Sequence, residues 1–181
     1  TNYVDREDEV LYRDSIRWVR RFVPAHTQPL HPESCRRTPC RLAIGASAGI
    51  ESLRHESNPK RTLKGDEIEI EVVASGLNFS DVMKALDLYP GLPEGPVRLG
   101  AECSGRVRAI GPKVQDFRVG DEVIAIASGS FATHVTVREC LAAPKPKQLT
   151  HAQAATIPIA FLTADYALNE CARMRDGERI L

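Results

Sequence analysis

Within residues 65–76, GDEIEIEVVASG, polar and apolar residues alternate strictly from Glu67 to Val72. Ile68, Ile70 and Val72 fall on one side of an extended chain and Glu67, Glu69 and Glu71 on the other, so the period predicts a strand with one dry and one wet face. Shorter apolar runs follow the same period: CRLAIGA from Cys40, SGRVRAIG, DEVIAIAS and FATHVTVREC, with turn signals at Gly111-Pro112 and Gly120-Asp121. Many short strands with regular turns predict a mainly β domain, a barrel or a sandwich. Ile50 to Leu53 reads as a short turn.

Helical spacing appears twice. Ser80 to Leu86 places Phe79, Val82, Met83 and Leu86 on one side, with Ser80 as candidate N-cap. After the Pro-bearing loop AAPKPKQLT, Thr150 caps HAQAATI, and Ile159 to Cys171 sets Phe161, Leu162, Tyr166 and Leu168 as apolar positions. RDGERIL then reads as the opening of a strand. At the other end, EVLYRDSIRWVRRFV alternates weakly and predicts one or two edge strands around a turn at Arg13 and Asp14. Pro24, Pro29, Pro32 and Pro39 follow closely, so neither a helix nor a central strand runs through that stretch.

A length of 181 residues suits one domain with a proper core. Lys+Arg and Asp+Glu are both 24, which argues against an electrostatic nucleic-acid or membrane-surface binder and favours a neutral small molecule or a protein as partner. The longest apolar run, Ala154 to Leu162, contains Thr156 and Pro158 and falls far short of the ~20 residues of a membrane span. The strongly charged first 22 residues do not read as a signal peptide. Five scattered cysteines, Cys35, Cys40, Cys103, Cys140 and Cys171, suit reduced thiols in a cytoplasmic protein.

The chemistry concentrates between Ala74 and Gly105, where a strand end, Asn78, a short helix, Tyr89 before a Pro-Gly turn and a Gly-rich strand lie close together. Irregular connections on a rigid β frame are where binding groups sit. Within this segment LNFSDVMKALDLYPG and LGAECSGRV, with the later VGDEVIAI, resemble the catalytic half of a medium-chain dehydrogenase/reductase. The resemblance is strongest to the enoyl reductase domain of modular, mycobacterial-like type I polyketide synthases. It covers residues 41 to 181 well and the leading segment loosely.

That resemblance implies a GroES-like, partly open β-barrel with a few short helices over residues 1–166, of which 1–40 are leading strands and a Pro-rich linker. Residues 167–181 would be a helix end and the first strand of a Rossmann domain. No G-x-G-x-x-G occurs, and GASAG at 45–49 has the wrong spacing, so the sequence reads as the substrate-side half of a larger enzyme. The implied activity is NADPH-dependent reduction of an α,β-unsaturated acyl thioester carried by an acyl carrier protein. Its implied partners are that carrier and the other domains of the synthase, with a monomeric fragment and a homodimeric complete enzyme. A free-standing quinone oxidoreductase and a non-catalytic GroES-like interaction module are the rival readings.

By the same resemblance Tyr89 is the catalytic candidate, a phenol that delivers a proton to the substrate α-carbon. On the residues alone it also reads as an aromatic packed beside a Pro turn. Asn78 stands where alcohol dehydrogenases of the superfamily have a zinc-binding Cys, and Ala101 where they have a His. Neither side chain is a zinc ligand, so no metal is expected. Asn78 is instead a cofactor-binding candidate, donating near the nicotinamide ribose or the substrate carbonyl, or else an Asn that ends a strand. Glu102 survives from the family pattern and reads as a hydrogen-bonded structural group. Thr163 is the second cofactor-binding candidate, toward the nicotinamide amide, although a Thr within a helix usually bonds its own backbone. Lys84 and Asp87 read as surface charge, and the histidines, His134 and His151 included, as solvated or structural.

Overall fold

A computed structural model describes residues 10–13, 16–19, 38–45, 49–92 and 95–180. The chain divides into two compact units, Thr1–Pro32 and Glu33–Leu181. In the first, β1 (Val10–Arg13) and β2 (Ile16–Val19) form an antiparallel hairpin with Val10 opposite Val19 and Arg13 opposite Ile16. This is the pair that the weak alternation predicts. Asp14, Cys35, His26, His31 and the prolines at 24, 29 and 32 lie outside the described residues.

The second unit begins with β3 (Cys40–Ala43) and β4 (Arg54–Ser57), antiparallel, with a 3-10 turn at Ile50–Ser52 between them. Five further strands follow: β5 (Glu67–Ser75), β6 (Glu102–Ile110), β7 (Glu122–Ile126), β8 (His134–Arg138) and β9 (Ala142–Pro144). They form one antiparallel sheet in the order β8-β5-β6-β7-β9, which does not close on itself. The fold is thus mainly β and open, as expected. β9 falls in the stretch whose prolines predict only a loop. It survives because it is an edge, where Pro144 can sit opposite Val123 and its missing N–H breaks no interior ladder.

The alternating positions meet inside. Ile68 and Ile70 of β5, Cys103 and Val107 of β6, Val123 and Ala125 of β7 and Val135 and Val137 of β8 share one core with Phe117. Burying each large aliphatic side chain contributes about 1.5–3 kcal/mol. Burial also pushes the Cys103 thiol up to about 12, with the neighbouring Glu102 adding to the shift, so it is packing rather than a nucleophile. Pairing of β5 with β6 shifts register between Val72 and Ala74, beside Gly105, which faces Val72. A Cβ on Gly105 would overlap the Glu71 carbonyl oxygen, so the two backbones approach closely there.

The second face of β5 is not wet at its start. Glu67 is only 8% exposed and Glu69 5%, because the segment before the strand folds over them. Arg61 grips Glu67 with two bonds of 2.7 Å, Lys64 N–H adds a third at 2.7 Å, and Lys60 Nζ meets Glu69 at 2.9 Å. The Arg61 guanidinium, and then the Lys64 N–H, hold the Glu67 carboxyl down at about 2, against an ordinary 4.5. A depressed folded value stabilises the protein above the unfolded value and loses that contribution as pH falls from about 4.5 toward 2. Arg61→Met should therefore destabilise at neutral pH, and its gap to the parent chain in urea midpoint should narrow between pH 5 and pH 3. A gap that is the same at both pH values would mean that the pair carries no linkage.

Helix α1 (Phe79–Ala85) starts two residues earlier than Ser80 as N-cap would set it. Asn78 is the N-cap, extended at φ −108 and ψ 151, and its N–H donates to Asp81 Oδ2 at 3.1 Å. Asp81 also accepts from the buried Gly100 N–H at 2.9 Å, which fixes where the helix begins. The helix buries Asp81 and Ala85, while Phe79 is 77% exposed and Leu86 is open to solvent, so the apolar face expected from spacing is not the face that packs. A carboxylate anchored to two backbone donors decides its orientation instead.

Thr150 caps α2 (His151–Ala154) as expected, accepting from Gln153 N–H while Gln153 Oε1 accepts from Thr150 N–H. α3 (Pro158–Asp165) opens on proline and continues into a π-helical segment, Tyr166–Cys171. It rests on β6 and β7, yet Phe161, Leu162 and Tyr166 stay exposed. Residues 175–180 form a turn at Asp176 and Gly177 rather than a strand, and no described strand lies beside them to pair with. No helix among the described residues is long and apolar enough to cross a membrane.

Candidate functional site

Where the chain leaves β5 it passes the first residue of β6, and there a single carboxylate organises the surroundings. Glu102 is 4% exposed. Its Oε1 accepts from Asn78 Nδ2 at 2.8 Å, and its Oε2 accepts from the Ile159 N–H at 2.8 Å. Gly76 makes room, since a Cβ there would overlap the Glu102 carboxylate. One side chain on the central sheet thus ties the N-cap of α1 to the first turn of α3. The structural role expected for Glu102 holds, with both its partners now identified.

This clamp brings the elements of two candidate residues together. Asn78 uses one amide hydrogen on Glu102 and has a second to give. Thr163 lies one helical turn beyond Ile159, exposed, and its hydroxyl makes no hydrogen bond among the described residues, so the expected bond to its own backbone is not made. It lines a shallow, largely apolar depression of about 400 Å³ with Ile126, Ile159, Leu162, Tyr166 and Ala167. An unpartnered hydroxyl on an exposed apolar floor fits a planar ligand ring with an amide edge, which is the chemistry of a nicotinamide.

Tyr89 follows α1 through a tight exit. Asp87 takes a left-handed φ of 57, Leu88 N–H donates to the Met83 carbonyl at 2.8 Å, and the chain turns at Pro90-Gly91. The Tyr89 ring is partly exposed, at 39% for the residue, and its hydroxyl takes no hydrogen bond among the described residues. Lys84 Nζ stands 5.4 Å from the ring centroid and 4.0 Å from Asp81. Lys84 is therefore no plain surface charge: it links the helix anchor to the phenol ring, a role its place in the sequence does not disclose. No hydrogen bond among the described residues ties Tyr89 to Asn78 or Thr163.

A larger cleft of about 700 Å³ opens beside the C-terminal end of α1. Its walls come from β3, β4, the 95–99 segment and β8, and Lys84 and Asp87 belong to them. Nothing in the sequence pattern marks it, because its charged residues lie far apart along the chain.

Sequence spacing also gives no sign of a chain of bonds through His151. Its Nδ1 lies 2.8 Å from Ser104 Oγ and its Nε2 3.3 Å from Glu122 Oε1, a carboxyl held low by Arg106 first and then by Lys145 and His151. Ser104 is fully buried and donates to the Val123 carbonyl at 3.0 Å, so this set is no nucleophile and base. It fastens α2 to the sheet, the structural role expected of the histidine. Among the described residues no group of three or more His, Cys, Asp or Glu could hold a metal. The donors around Glu102 are amide and backbone N–H groups, which a cation would not take as ligands.

Residues 64–147 match the alcohol dehydrogenase GroES-like domain. Over 188 aligned residues and 96% of its length the chain is 39% identical to a phenolphthiocerol/phthiocerol polyketide synthase polypeptide of Mycobacterium tuberculosis, and it spans 9% of that protein. Among solved structures it is similar to the CurK enoyl reductase, with a TM-score of 0.73 at 34% identity over 78% of this chain and 46% of that one. It is also similar to a mycobacterial protein complexed with NADPH, with a TM-score of 0.67 at 30% identity over 78% and 43% of the two chains.

Proposed function

The chain belongs to the alcohol dehydrogenase GroES-like family, within the medium-chain dehydrogenases/reductases, and on that premise we propose that it is the substrate-binding half of an NADPH-dependent polyketide synthase enoyl reductase. Its substrate is the α,β-unsaturated acyl thioester carried by an acyl carrier protein, and its partners are that carrier and the other domains of a synthase. Residues 1–181 alone are a monomer without metal, and the complete enzyme is a homodimer. The observation that carries the reading is the partly exposed phenol of Tyr89, without a hydrogen bond among the described residues, on the turn leaving α1, the helix whose N-cap Glu102 fastens to α3. A polyketide synthase relative that aligns with nearly the whole chain favours an enoyl thioester over a quinone as substrate.

Reduction of an enoyl thioester needs a hydride at the β-carbon and a proton at the α-carbon. When bound, NADPH supplies the hydride. Tyr89 gives its phenolic proton to the α-carbon, as a positioned weak acid that yields it to the strongly basic enolate. The second amide hydrogen of Asn78 steadies the thioester carbonyl or the nicotinamide ribose, and the Thr163 hydroxyl receives the nicotinamide amide. Glu102 keeps the two helices in register while this happens.

In the full-length enzyme Tyr89→Phe should still pass hydride but slow protonation or alter the configuration of an α-methyl product. A positioned acid is worth typically ~10²- to 10⁴-fold, and water can replace part of that, so product configuration by chiral chromatography is the sharper readout. Unchanged turnover together with unchanged configuration would return Tyr89 to a packing role.

A further inference from the structure

Equal numbers of acidic and basic residues give the chain no net charge, yet the lining of the 700 Å³ cleft beside α1 holds more basic than acidic side chains. Arg41, Arg54, Arg61, Lys84 and Arg98 line it against Glu56 and Asp87. Some of this charge is already used: Glu56 sits between Arg41 at 3.2 Å and Arg54 at 2.8 Å, and Arg61 is committed to Glu67. Arg98 is not. It has no hydrogen bond or ion pair among the described residues, and it is exposed. Its stem lies along Gly129, where a Cβ would stand 3.4 Å from Arg98 Cδ, so the guanidinium is laid on the cleft wall rather than extended into solvent. Lys84, on the same wall, is the residue over the Tyr89 ring.

We infer that this cleft binds the phosphate of a phosphopantetheine thioester, with Arg98 as its ligand. The inference rests on the enoyl reductase reading and adds to it the end of the substrate remote from the double bond. A neutral acyl chain needs no guanidinium, whereas a phosphate oxygen pair matches the fork of an unpaired Arg. A concave site of this volume suits a slender arm better than the flat face of an acidic protein. Because the cleft shares Lys84 with the Tyr89 environment, a phosphate held at Arg98 would direct the rest of the arm toward the phenol.

Calorimetry on the 181-residue chain, with crotonyl-phosphopantetheine, crotonyl-pantetheine lacking the phosphate, and inorganic phosphate as probes, tests this. The phosphorylated thioester should bind about tenfold more tightly than the dephosphorylated one, with a margin that shrinks as salt is raised. Arg98→Ala should abolish most of that margin and leave the affinity for crotonyl-pantetheine unchanged. Arg98 supports no other described residue, so the variant should melt with the parent chain. Equal binding of the two thioesters, no binding of either, a margin that survives Arg98→Ala, or displacement by inorganic phosphate at equal concentration would each overturn the assignment. The measurement uses no NADPH and no turnover: equal thioester binding would remove the phosphate site and leave the reductase reading, while a full-length enzyme without NADPH-dependent turnover would remove the reading and leave the margin.

Discussion

Gly105→Ala is expected to lower stability by about 3 kcal/mol or more. The new Cβ would enter the space of the Glu71 carbonyl oxygen and crowd the Ile70 side chain, and both belong to the central strand. Neither can yield cheaply. Ile70 is fully buried, and Glu71 is paired to Arg106 of β6 on one side and His134 of β8 on the other. Relief would require β5 and β6 to part beside the irregularity between Val72 and Ala74. For a chain of this size such a loss corresponds to a fall in Tm of roughly 6–12 °C, read by circular dichroism. A loss under about 1 kcal/mol would show that the two strands separate there with ease.

Glu102→Ala should cost about 2–4 kcal/mol, because it leaves the Asn78 amide and the Ile159 N–H without their acceptor. Its effect on the proposed reaction should exceed what that instability explains, since α1 and α3 lose their common tie. Glu102→Gln separates the two effects. Turned one way, its NH2 opposes Ile159 N–H, and turned the other it opposes Asn78 Nδ2. Only the second arrangement can be relieved, by flipping the Asn78 amide. The Gln variant should therefore stay nearly as stable as the parent, with Asn78 reversed and turnover reduced. Parent-like turnover in Glu102→Gln would mean that the orientation of Asn78 does not matter to the chemistry.

The strands are legible because alternation has one cause, a face buried against the core, which β5, β6 and β8 obey, while β7 reads as a short apolar run. The burial of Glu67 and Glu69 was not, since their partners Lys60 and Arg61 lie in a segment with no period of its own. At the start of α1 the helical spacing points to Ser80 as the cap, yet Asn78 takes that position. Asp81 settles it through the Gly100 N–H, a contact across 19 positions that local pattern cannot carry. Asn78, Tyr89 and Thr163 stand out by family resemblance, while the clamp that orders two of them depends on how β6 lies against α3. Arg98 gives no signal at all, because only its place on the cleft wall without a partner among the described residues distinguishes it.

The edge strand β9 bears on how the molecule behaves in a crowd. Free sheet edges invite a neighbour's strand, and proteins guard them with prolines and lysines. Here Pro144, Lys145, Pro146 and Lys147 follow in immediate succession where the ladder runs out, and Lys145 is folded inward onto Glu122 and the Leu149 carbonyl. Two residues in this run have no N–H to offer an incoming strand, and Lys147 opposes its approach with charge. An open sheet can thus remain unpaired on this side without becoming a template for aggregation.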